Sequence, residues 1–214
     1  LAPDLFADEL IAARHIIGDA PEIGMRFPAR RRAVRRFQLP KTKHHVYYVA
    51  DEVRDIVLIV ADEILCGSGR TGKFFACDHF GLKPDVITLG KGINGGMCPI
   101  SCVLVKDAHL REMKAGSGGF MHAQTYLQSP AAAATGLAVL EYFEEKKLVE
   151  NCAKVGAHFQ KRLREVLLAH PNVGNVSGVG LLAGVEFVQD KASKKAFDRG
   201  LKKVEGFLAH AFER

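Results

Sequence analysis

No stretch of this 214-residue sequence approaches the ~20 consecutive apolar residues of a membrane-spanning helix, so no membrane partner is expected. The opening Leu1-Ala2-Pro3-Asp4 lacks the basic and apolar regions of a secretory signal, and a cytoplasmic protein is the expectation. Paired cysteines are missing too. The five cysteines are odd in number, show no CxxC spacing and lie in apolar or glycine-rich surroundings, which excludes a disulfide framework. Cys98 and Cys102 match no usual zinc-ligand pattern with any histidine, so no metal site is expected. Acidic residues are absent from positions 26–50, which hold eight Lys or Arg. That segment accounts for most of the net charge of +6. Its core, Arg26 to Arg36, has one aromatic and no recognisable binding module, so it reads as a solvated arm; nucleic-acid binding through its arginines is the alternative.

What is present is a globular composition, 48% hydrophobic and 25% charged, with enough length for a sizeable core. From residue 54 onward the pattern becomes regular. Asp55 to Ala61 is a β-branched run without alternation, as expected of a buried strand in a parallel-type sheet, and Pro84 to Leu89 and Ile100 to Val105 read the same way. Ala131 to Lys146 and Leu148 to Ala169 carry helical spacing, with Pro130 placed to start a helix. Gly178 to Val188 reads as a strand entered through glycines, followed by a lysine-rich helix over about Ala192 to Ala211. Strands alternating with helices predict an α/β layered domain, with a second, smaller unit beginning near residue 147.

Two phosphate-loop patterns fail on inspection. Gly67 to Lys73 satisfies GxxxxGK, but Phe74 follows where a Mg²⁺-binding hydroxyl belongs, and the stretch before Gly81 is too short for the helix that should follow. Gly90 to Gly95 satisfies GxGxxG, but Pro99 leaves no room for a helix to hold a pyrophosphate. The same residues suit other chemistry. One buried strand ends at Asp62, the next at Lys91 between Gly90 and Gly92, and ligands collect at the carboxyl ends of strands in α/β sheets. An amine on backbone that a ligand can approach, opposite a carboxylate, is what pyridoxal phosphate requires: the amine bonds it and the carboxylate keeps its ring nitrogen protonated. An ordinary salt bridge between Asp62 and Lys91 is the competing reading.

Ala61-Asp62-Glu63-Ile64-Leu65-Cys66-Gly67-Ser68-Gly69-Arg70-Thr71-Gly72-Lys73-Phe74-Phe75-Ala76, followed by Lys83 to Gly96, closely resembles the signature of class III (ω-type) aminotransferases. Phe120 to Tyr126, leading through Ser129-Pro130 into the alanine-rich stretch, resembles that family's second phosphate-binding segment. The resemblance covers roughly residues 54–190. It implies a three-layer α/β transferase fold of type I that binds pyridoxal 5'-phosphate, with a homodimer as the working form. Residues 51–146 would belong to the large cofactor-binding domain and residues 147–214 to the small C-terminal domain, with 1–50 unassigned. By the same resemblance Lys91 bonds the cofactor, Asp62 pairs with its ring nitrogen, Ile64 packs on the ring, and Thr125 binds the phosphate of the neighbouring subunit's cofactor. Arg70-Thr71-Gly72 would shape the turn. The implied reaction transfers an amino group from an amine or amino acid to a keto acid; a racemase or aminomutase on the same fold is the alternative.

Departures from the family pattern accompany the match. Leu65 stands where some branches carry glutamine, and Ala123 where glycine is usual. Residues 1–50 show no counterpart of the family's upstream phosphate turn and stacking aromatic, and the chain ends before the family's substrate-carboxylate arginine. About half an enzyme is therefore expected here, without sustained turnover by the 214 residues alone.

Overall fold

The computed structural model describes residues 56–119, 125 and 127–213 and, before them, residues 12, 13, 15, 17, 19, 20, 25–27, 34–38 and 45–51. A six-stranded sheet runs in chain order: β1 (Met25–Phe27), β2 (Val34–Gln38), β3 (His45–Asp51), β4 (Ile56–Asp62), β5 (Val86–Leu89) and β6 (Cys102–Val105). The purely parallel sheet suggested by the apolar runs is not what forms. Only β4 and β5 are parallel, and the other four pairings are antiparallel. The link between β3 and β4 spans residues 52–55, far too short for the crossover that parallel neighbours need. Strands β1 to β3 lie within the first 51 residues, where basic composition masked any strand pattern, while 28–33 of the arginine-rich core fall outside the described residues.

Asp85 ties the sheet to α1 (Asp107–Gly116), a helix that apolar periodicity did not reveal. Its Oδ2 accepts the Ile59 N–H at 2.9 Å, and its Oδ1 meets Lys106 Nζ at 2.8 Å and His109 Nε2 at 3.3 Å. Burial would raise its carboxyl, but these partners together outweigh that and hold it below the ordinary carboxylate value.

Helices α2 (Pro130–Glu145) and α3 (Leu148–Leu167) form where helical spacing placed them. Pro130 occupies the first turn of α2, and Ser129 Oγ caps it by accepting the Ala132 N–H at 3.5 Å. On α3 the buried residues Cys152, Gly156 and Gln160 recur every fourth position, one face of a helix. That face packs on a second, three-stranded sheet of β7 (Val173–Val179), β8 (Leu182–Asp190) and β9 (Lys195–Ala196). The single strand read over 178–188 is in fact a hairpin that reverses at Gly180, whose φ of 59° favours glycine. The long helix expected from Ala192 is likewise broken, leaving α4 as Lys203–Phe212. Asp190 captures the Ser193 N–H at 2.7 Å and Asp198 the Gly200 N–H at 2.7 Å, and each local turn competes with helix. Among the described residues no helix is long and apolar enough to cross a membrane.

The hairpin turn docks α3 against the loop that follows β4. A Cβ on Gly156 would lie 2.5 Å from Gly180 Cα, one on Gly180 2.5 Å from the Thr71 carbonyl carbon, and one on Gly72 2.8 Å from Ala153 Cα. Gln160 Nε2 donates to the Gly180 and Leu182 carbonyls at 3.1 Å each, and Leu181 N donates to Arg70 O at 3.1 Å. Arg70-Thr71-Gly72 is therefore a structural seam.

Candidate active site

Because β4 and β5 run parallel, both end at the same edge of the sheet. Asp62 closes β4 opposite Thr88 of β5, and its exposed carboxylate accepts the Thr88 hydroxyl at 3.2 Å and the Ile64 N–H at 3.1 Å, both on Oδ1. Among the described residues Oδ2 accepts no hydrogen bond. One residue beyond β5, buried Gly90 sits beside Ile64: a Cβ there would lie 3.5 Å from Ile64 Cγ2. Lys91 follows, exposed, with φ of 46°, a left-handed conformation that costs a non-glycine residue about 1–2 kcal/mol.

The turn bearing Lys91 is anchored on both sides. Leu89 and Gly90 before it are buried, as are Ile93 and Asn94 within the 3-10 turn Lys91–Asn94. Asn94 Oδ1 accepts the Gly96 N–H at 3.0 Å, and α2 packs over the turn, with Val139 Cγ2 3.6 Å from where a Gly95 Cβ would stand. Rigid backbone thus presents an exposed amine. Among the described residues no ion pair joins Lys91 to Asp62, so the two groups are not each other's partners.

Asp62, Ile64 and Lys91 are brought to one sheet edge. Thr125 is not joined to them: it lies in an exposed turn, and among the described residues it makes no hydrogen bond to that cluster. The rest of the second phosphate segment, 120–124 and 126, lies outside the described residues.

Sequence reasoning missed Glu63. Neighbouring strand residues face opposite ways, and while Asp62 points outward Glu63 is 2% exposed. Its carboxylate accepts the Ala76 N–H at 2.9 Å, the Cys77 N–H at 2.7 Å and the Cys66 thiol at 3.2 Å. Burial first, and then the neighbouring Glu63 carboxylate, push the Cys66 and Cys77 thiols up to about 12, so both stay protonated donors rather than nucleophiles. An acidic residue directly after the outward-facing Asp of an apolar run was the available signal.

An exposed amine and an exposed carboxylate that do not pair, on the ends of adjoining parallel strands beside a glycine–isoleucine surface, are a set that could hold pyridoxal phosphate. The amine can bond the aldehyde carbon, the carboxylate can hold the ring-nitrogen proton, and the apolar surface can take the ring. This fit, on a mixed α/β sheet, is that of the fold type I pyridoxal-phosphate-dependent transferases.

Residues 43–210 match the family described as aminotransferase class-III. The chain is 40% identical over 160 residues to a diaminobutyrate–2-oxoglutarate transaminase of Halomonas elongata, covering 73% of this chain and 34% of that protein. It is 41% identical over 149 residues to a leucine/methionine racemase of Thermococcus litoralis, covering 69% and 32%. A thermostable (S)-enantioselective omega-transaminase of Thermomicrobium roseum superposes with a TM-score of 0.65 at 37% identity, over 70% of this chain and 33% of that one. The chain belongs to the class III aminotransferase family, whose members depend on pyridoxal phosphate. It spans about a third of the length of the relatives it matches, less than the half that the motifs suggested.

Proposed function

We propose that these residues supply the cofactor-binding lysine and carboxylate of an enzyme that transfers an amino group from an amine or amino acid to a keto acid. The observation that carries this reading is the parallel β4–β5 pair delivering Asp62, Ile64 and Lys91 to one edge with the amine and carboxylate unpaired. Pyridoxal phosphate, when bound, supplies an electron sink that weakens the substrate's Cα–H bond. Lys91 Nζ would hold the cofactor through its aldehyde carbon with loss of water, and, once the substrate's amino group has displaced it from that carbon, the freed amine would carry the proton taken from the substrate carbon. Asp62 holds a proton on the ring nitrogen, and its orientation is set by the Thr88 hydroxyl. Ile64 keeps water from one face of the ring. Thr125, in its exposed turn, donates to the phosphate of the neighbouring subunit of a homodimer.

We assign residues 51–146 to the large cofactor-binding domain and 147–214 to the small one; the separate sheet of β7 to β9 supports the boundary near 147, while the larger sheet also draws β1 to β3 from residues 25–51. We further propose that the 214 residues expressed alone do not sustain turnover, because a phosphate dianion needs several fixed donors, Thr125 is the one assigned among them, and residues 1–50 show no sequence counterpart of the family's upstream phosphate turn.

The racemase relative supports a second reading, since racemisation starts from the same proton removal and differs in where the proton returns. Incubating the whole protein with pyridoxal phosphate, several amine and amino-acid donors, and pyruvate or 2-oxoglutarate separates the two. Transfer to the keto acid supports the proposal, while inversion of the amino acid without keto-acid consumption replaces it with racemisation.

A further inference from the structure

Glu63 is a buried acidic residue that the proposed reaction does not use, and its partners explain why it sits there. The 3-10 turn Ala76–Phe80 begins at Phe75, which offers no side-chain cap, and Glu63 caps that turn from a distance through the Ala76 and Cys77 amides. Its backbone is held as well: Glu63 N donates to Thr88 O at 3.0 Å, and Glu63 O accepts the Gly67 N–H at 2.9 Å. Main chain and side chain together pin the residue next to Asp62. They also pin Thr88, whose hydroxyl is the donor that orients Asp62 Oδ1.

We propose that Glu63 is a positioning residue: by clamping the 76–80 turn and the end of β4, it holds the Asp62 carboxylate against Thr88, aimed at the ring nitrogen of pyridoxal phosphate. The inference rests on the reading of Asp62 given above. Reactive constellations need orientation to within about half an ångström, and an exposed carboxylate at a strand end does not achieve this unaided. A buried carboxylate anchored by two amides and a thiol supplies the fixed point one residue away.

A double-substitution cycle in the whole protein tests this, with pyridoxal phosphate as the probe and two readouts, its dissociation constant and kcat for amino transfer. Glu63→Gln is expected to weaken cofactor binding about 10-fold and lower kcat about 10-fold, the scale on which outer partners of metal ligands act. In an Asp62→Asn background the same substitution is expected to change neither by more than about twofold, because the group it positions is already gone. Equal losses in both backgrounds would overturn the proposal alone, since general loosening of the fold multiplies with any second defect. Unchanged kcat in Asp62→Asn itself would remove the reading of Asp62, and Glu63 with it. Should Glu63→Gln not fold, Ala76→Pro removes one clamp donor without touching the carboxylate. Phe75 already has φ of −109° and ψ of 135°, which suit a residue before proline, and the first position of a helical turn accepts one. The same dependence on Asp62 is expected of it, and additive losses would again overturn the proposal.

Discussion

Gly156 sets helix propensity and packing against each other. In the interior of α3, replacing glycine by alanine should by propensity alone stabilise by about 1 kcal/mol. The new Cβ would lie 2.5 Å from Gly180 Cα and 2.6 Å from its carbonyl carbon. Those are backbone atoms and Cβ has no torsion to turn away, so the helix or the hairpin must shift. The hairpin resists, because Gln160 holds the Gly180 carbonyl at 3.1 Å and a Gly180 Cβ would itself meet the Thr71 carbonyl carbon at 2.5 Å. Overpacking of this kind costs about 3 kcal/mol, so Gly156→Ala should destabilise by about 2 kcal/mol net. Gly206→Ala in α4, where a Cβ meets nothing within 4 Å, is the control and should stabilise by roughly 0.5–1 kcal/mol. Urea midpoints of the two variants of the whole protein without cofactor decide the matter. Gly156→Ala as stable as Gly206→Ala would refute the close seam between α3, the hairpin and the Thr71 loop.

Asp62→Asn should retain much of the bound cofactor yet lose ~100-fold in kcat, on the order of 3 kcal/mol of transition-state stabilisation; unchanged turnover would leave Asp62 with no chemical part. Asp85→Asn should cost about 2 kcal/mol at pH 7, because one amide oxygen cannot serve Ile59, Lys106 and His109. Since the Asp85 carboxyl is held below its ordinary value, its contribution is complete above that value and is lost as pH falls through the lowered one. The gap between wild type and variant in urea midpoint should therefore close below about pH 4, and a gap independent of pH would contradict the ion-pair reading.

Strands β4, β5 and β6 and helices α2 and α3 were legible because each is an uninterrupted apolar run or a helical stripe of adequate length. The same rule misled at 178–188, where apolar residues continue through a glycine-rich turn and the reversal rests on positive φ at Gly178 and Gly180, 142° and 59°. Arginine-rich β2 was hidden because a strand partnered on both sides owes its place to ladder bonds that composition does not reveal. The placement of Asp62, Ile64 and Lys91 at one sheet edge was readable from strand ends and motif. Glu63 was not, because a glutamate reads as surface until the amides that stabilise its burial are seen.

The most direct test concerns Lys91. Whole protein loaded with pyridoxal phosphate is reduced with borohydride, digested, and its peptides mapped by mass. A pyridoxyl group on the peptide containing Lys91 is the expected result, from its exposed amine beside Ile64 and Asp62 on an anchored turn. Label on Lys73 or Lys106 instead, each already donating to the backbone carbonyl of Asp78 or Lys83, would contradict the site described.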